Sequence, residues 1–122
     1  MTLKTMLREN TWLDRDNPML LNMDFGWGNG YVILPPEHPM HQVHYNDINV
    51  DVHGGLTFSE LANDEIVTVN GNELILNGEW VVGFDTAHHG DTLENWPKSK
   101  VEEETNKLRI QLENMVKLIP CK

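Results

Sequence analysis

Apolar positions recur along this chain with two periods, and the change from one to the other divides it. Ile48-Asn49-Val50-Asp51-Val52-His53 alternates strictly. That spacing points Ile48, Val50 and Val52 one way and Asn49, Asp51 and His53 the other, as in a half-buried strand. Tyr31-Val32-Ile33-Leu34 reads as another strand, ended by Pro35-Pro36. Ile66 to Val69 and Glu73 to Leu76 are two more, placed around Asn70-Gly71-Asn72. Asn77-Gly78 is a second tight-turn signal, with both residues suited to positive φ. Glu79-Trp80-Val81-Val82-Gly83-Phe84 returns as a further strand with Trp80, Val82 and Phe84 on one face. These segments predict an antiparallel meander.

Toward the C-terminus the period changes. Val101, Thr105, Leu108, Leu112, Met115 and Ile119 follow a 4-3-4-3-4 spacing and form one stripe of a helix over 99–119. Ser99 with Glu102 fits a capping box, Glu103–Lys107 and Glu113–Lys117 are favourable i,i+4 pairs, and Pro120 stops the helix. The stripe is expected to pack on the sheet, the alternative being a helix–helix seam; so long a stripe on a domain of limited core also predicts an oligomer, most simply a homodimer. Upstream, Leu3, Met6 and Leu7 have helical spacing, Asn17-Pro18 marks a turn, and Gly26-Trp27-Gly28-Asn29-Gly30 reads as a flexible hinge. Residues 35–47 read as a loop with three surface histidines, His38, His41 and His44. The expected fold is therefore a single α+β domain over 1–122, an antiparallel β-sheet meander packed against a C-terminal α-helix. Its parts are a variable N-terminal segment (1–25), the sheet and loops (26–97) and the helix (99–119).

Charge narrows the choice of partners. The chain has 19 acidic and 9 basic residues, a net charge of −10. Phosphate contacts need Lys and Arg, so direct nucleic-acid binding is not expected. A basic protein surface is the macromolecular partner such charge suits. No stretch approaches the length of a membrane span. The lone Cys121 has no internal disulfide partner, which suits a reducing cytoplasm.

Candidate chemistry gathers where apolar segments open into glycine-rich loops. Asp51-Val52-His53-Gly54-Gly55-Leu56-Thr57 is one such run and Asp85-Thr86-Ala87-His88-His89-Gly90-Asp91 the other. If their strands are neighbours, Asp51 and His53 can converge with Asp85, His88 and Asp91. Imidazoles with carboxylates suit a divalent metal, a general base, or a structural hydrogen-bonded cluster. Gly54 and Gly55 can let backbone N–H groups approach an anion, with Thr57 adding a hydroxyl. Neither a Walker nor a dinucleotide fingerprint is present. Trp27, set between glycines, can stack on a flat ligand ring or anchor its loop.

Gly30-Tyr31-Val32, His38-Pro39, Tyr45, Val52-His53-Gly54-Gly55-Leu56-Thr57 and Gly83-Phe84-Asp85-Thr86-Ala87-His88-x-Gly90-Asp91 resemble a family of small, functionally uncharacterised phage and prophage proteins. The resemblance covers roughly residues 26–112. It implies a viral accessory role, such as antagonism of a host defence protein, in the cytoplasm of the infected bacterium. It carries over no catalytic residues. The function expected is capture of a small polar, nucleotide-like ligand by Trp27, Asp51, His53, Gly54, Gly55, Thr57, Asp85, His88 and Asp91. The alternatives are a metal-dependent hydrolase using the same residues and an acidic inhibitor of a basic host surface.

Overall fold

A computed structural model of the chain describes residues 2–10 and 25–117. They form strands β1 (Lys4–Glu9), β2 (Gly28–Leu34), β3 (Phe58–Leu61), β4 (Glu65–Val69), β5 (Asn72–Leu76) and β6 (Trp80–Phe84), then helix α1 (Lys98–Lys117). The fold is α+β, as expected. β2 and β6 are the inner strands of a four-stranded antiparallel sheet of order β1-β2-β6-β3, and β4 pairs with β5 in a separate ribbon. The sheet is thus not a simple meander. Among the described residues β5 pairs only with β4, in register from Glu65↔Leu76 to Val69↔Asn72, and β6 leaves to pair with β2 and β3. The Asn70-Gly71 turn has the expected positive φ at both residues, whereas at the second signal only Gly78 does.

Both faces of the inner pair are covered. Val32 and Leu34 of β2 and Val82 and Phe84 of β6 pack with Val101, Leu108 and Leu112 of α1 and with Ile48, Val52 and Leu56 of the loop before β3. On the other face Tyr31, Ile33 and Val81 pack with Val67, Val69 and Leu76 of the ribbon. This makes three layers: helix and loop, sheet, ribbon. Double coverage explains the unbroken apolar run Tyr31–Leu34. It also corrects the reading of the N-terminus. Leu3 and Leu7 join the helix-side core and Met6 the ribbon side, so their spacing comes from a strand apolar on both faces. That strand, β1, pairs with β2 from Lys4↔Ile33 to Glu9↔Gly28 and belongs to the sheet rather than to a separate segment.

The glycine hinge is also overturned, because Gly28 and Gly30 lie within β2. A Cβ on Gly30 would collide with the Thr105 hydroxyl and the Phe84 ring, so the absent side chain lets α1 lie close on the sheet. Ile48–His53 keeps the expected alternation of burial but is not a strand. The backbone groups of Asp51 and His53 bond to side chains of α1 instead. Gln111 accepts the Asp51 N–H through Oε1 (2.7 Å) and donates from Nε2 to the Asp51 carbonyl (2.7 Å). Glu104 Oε2 accepts the His53 N–H at 2.7 Å. These backbone groups are satisfied without a ladder. β3, which sequence pattern does not reveal, occupies the sheet edge instead.

α1 begins at Lys98, with Lys100 and Val101 N–H bonded to the Pro97 carbonyl, so Ser99 lies inside the first turn and is not the cap. Val101, Leu108 and Leu112 are fully buried and Met115 packs beside them; Ile119, Pro120 and Cys121 lie outside the described residues. The stripe therefore faces the chain's own sheet, and the dimer expectation loses the feature that motivated it. Lys107 reaches Asp51 (Nζ–Oδ2, 3.3 Å), and the helix carries an Arg109–Glu113 pair at 2.8 Å. Among the described residues no helix is long and apolar enough to cross a membrane.

Leu108→Ala, at a site with no exposure, is expected to cost about 2–5 kcal/mol in denaturant melts. Ile66→Thr, on the exposed face of β4, should stay within about 0.5 kcal/mol of the parent. Equal effects would contradict the layer assignment.

Candidate functional site

The two glycine/histidine loops meet. The His53 and His88 rings lie 5.5 Å apart, edge to face. His53 Nε2 donates to Asp91, 2.9 and 3.0 Å from its two oxygens, and Asp91 Oδ2 also accepts the His88 N–H at 3.0 Å. Asp91 is almost fully buried and so ties both loops together through one carboxylate. The Asp91 N–H closes its own turn on the His88 carbonyl at 3.0 Å. Asp85 Oδ1 accepts the Ala87 N–H at 3.0 Å and lies 3.2 Å from His88 Nε2. That second approach has ion-pair distance but not hydrogen-bond direction, and His88 Nε2 is a buried nitrogen without a hydrogen bond. It faces Gly54, where any Cβ would strike the imidazole.

Gly54 and Gly55 have φ of +68° and +78°, and Gly55 donates its N–H to the Val52 carbonyl at 2.9 Å. The double glycine is therefore a turn that seats His88. It is not a pair of amides open to an anion, since one is already engaged. Thr57 is exposed, and its N–H bonds to the Gly83 carbonyl as the chain enters β3. Asp51 also falls outside the cluster. Its side chain is 89% exposed and pairs only with Lys107, a contact worth little.

Trp27 stands apart as well. Its backbone is pinned on both sides, N–H to the Trp96 carbonyl and carbonyl to the Asn10 N–H, both 2.8 Å. Lys98 Nζ lies 5.6 Å from its ring centroid. The aromatic at the histidines is Trp96, whose ring packs 4.1 Å from His53 at 34°. Trp96 and Glu104 are the two site residues the sequence reading did not assign. Only the pairing of the helix start with the 50s loop exposes them, and no local pattern encodes that register.

The His38/His41/His44 triple is bracing, not a metal site and not three surface rings. His38 is buried; its Nε2–H donates to the Leu112 carbonyl (2.8 Å) and its Nδ1 accepts the Met40 N–H (3.0 Å). His41 Nε2 bonds the Gly78 carbonyl at 2.6 Å, and exposed His44 accepts the Asn46 N–H. Among the described residues no group of three or more His, Cys, Asp or Glu is placed to hold a metal ion. No family model, curated protein or solved structure matches this chain.

Asp91→Ala leaves the His53 ring and the His88 amide without their acceptor and is expected to cost about 1–3 kcal/mol. Asp85→Ala removes one half-exposed bond and should cost less than about 1 kcal/mol. Thermal melts rank them, and the reverse order would refute the clamp assigned to Asp91. For His38, burial, aided by the neighbouring His41 charge, pushes the pKa below its ordinary value against the opposing pull of the Leu112 carbonyl. The folded chain therefore resists a proton that the unfolded chain accepts. Stability is full above the ordinary histidine range and falls as pH drops through it, from about 7.5 toward 5. The melting temperature should fall over that window, and His38→Gln should flatten the fall. Identical slopes would exclude His38 as the source.

Proposed function

We propose that this chain is a phage-type accessory protein, a host-defence antagonist of the bacterial cytoplasm, that captures a small polar, nucleotide-like ligand at the His53/His88 face. The observation that carries the reading is the pairing of two partly exposed imidazoles from separate loops. His53 is held at Nε2 by Asp91, and His88 Nε2 is set against Gly54 and Asp85. Among the described residues neither Nδ1 has a hydrogen bond, so ligand hydroxyl or base N–H groups have two positioned ring nitrogens to meet. Asp91 already accepts from the His53 imidazole and the His88 N–H, and Asp85 from the Ala87 N–H, so these carboxylates are turned to their own loops. Metal-dependent hydrolysis is the weaker alternative, because three donors do not come together among the described residues.

Capture is tested by titrating the chain with neutral ribonucleosides while following the imidazole proton resonances of His53 and His88. Saturable shifts of both rings, lost in His53→Ala at a melting temperature near the parent's, support the reading. Shifts that never saturate would discard it. Consumption of the nucleoside would favour catalysis.

A second reading, docking on a basic host surface, draws on the outer face of the β4–β5 ribbon. Ile66 and Ile75 are direct cross-strand partners, 68% and 69% exposed, beside exposed Glu65 and Glu73. It predicts partner binding that weakens steeply with salt.

A further inference from the structure

A cavity of about 640 Å³ opens between β1, the β4–β5 turn and the first half of α1, lined by residues that include Trp27, Lys4, Lys98, Arg109, Glu102 and Asn70. Its volume is that of a small-molecule pocket. Its charge runs against the rest of the molecule. The chain has 9 Lys and Arg against 19 Asp and Glu, yet among the described residues three cations and one carboxylate line this cavity. Arg109 is held in place, with Nη1 on Glu113 Oε2 (2.8 Å) and Nε 3.4 Å from Asn106 Oδ1. Among the described residues its Nη2 donors make no hydrogen bond. Glu113 in turn accepts the Leu3 N–H at 2.9 Å, which fixes the start of β1 against the helix. Lys98 is exposed, and its ammonium lies over the Trp27 indole, 5.6 Å from the centroid. An exposed ammonium over an aromatic face, and a held guanidinium lining the same cavity, suit an anion carrying a flat ring.

We infer that this cavity binds a nucleoside monophosphate, with the base stacked on Trp27 and the phosphate between Lys98 and Arg109. The base takes the place that Lys98 holds over the indole, and the displaced ammonium turns to the phosphate. Every base has a π-face, so stacking discriminates little among bases and the phosphate contacts set the affinity. This site is separate from the His53/His88 face and does not rest on it.

The test uses the full chain and calorimetric titration with the four ribonucleoside monophosphates, their nucleosides and inorganic phosphate as probes. Monophosphates are expected to bind more tightly than either fragment. Lys98→Ala, an exposed position that leaves the core untouched, should weaken binding about tenfold or more. Lys98→Arg should recover part of the loss, and Trp27→Leu should remove the advantage over phosphate alone. Arg109→Gln should weaken binding further, its fold checked by melting. Saturable binding equal in parent and Lys98→Ala overturns the proposal, as does the absence of binding by all four at millimolar concentration. Loss in His53→Ala with no loss in Lys98→Ala would place the ligand at the histidine face and overturn it too.

Discussion

Burial of the β2–β6 pair on both faces is the constraint from which the rest of this structure follows. Val32, Leu34, Val82 and Phe84 turn to the helix, while Tyr31, Ile33 and Val81 turn to the ribbon. Each fully buried side chain of this size contributes about 1.5–3 kcal/mol, so neither covering layer is dispensable. The helix stripe is committed to one face and the β4–β5 ribbon to the other. The edges then fall to β1, with exposed Lys4, Arg8 and Glu9, and to β3, with exposed Glu60. Charged edges of this kind discourage further strand pairing.

α1 does more than cover the sheet. Gln111 and Glu104 supply hydrogen bonds that a neighbouring strand would otherwise give to the 48–53 segment. This fixes His53 at the edge of the helix layer, within reach of the loop that leaves β6. Asp91 then joins the two loops, Trp96 supports the His53 ring, and Gly54 leaves room for His88. The cluster is thus built from the loop that enters β3 and the loop that leaves β6, its paired neighbour, with the helix holding the first of them in place. The same helix, on another side, presents Lys98 and Arg109 to the cavity beside β1.

Much of this was legible in the sequence because it rests on local rules. The Asn70-Gly71 hairpin turn, the run Tyr31–Leu34, the alternation of Trp80, Val82 and Phe84 and the helix stripe all state their own geometry through turn chemistry or period. The convergence of the two glycine/histidine loops was also readable, since each follows an apolar segment that must end at the core. Three readings failed for a shared reason. The spacing of Leu3, Met6 and Leu7, the alternation of 48–53 and the glycines at 26–30 each have two local interpretations, and only the partner decides between them.

The sequence by itself determined the α+β class, the ribbon turn, the buried face of the helix and the loops in which histidines and carboxylates gather. Those are set by side-chain period and by residues whose backbone preferences are intrinsic. Tertiary structure alone decided that β1 is a strand, that Ile48–His53 bonds to helix side chains, that His38 is buried, and that Trp96 rather than Trp27 stands at the histidines. Each depends on which distant segment lies alongside. Glu104 meets His53 across 51 positions of chain, and Leu112 meets His38 across 74. Such register comes from packing the three layers together, and no local stretch of residues carries it.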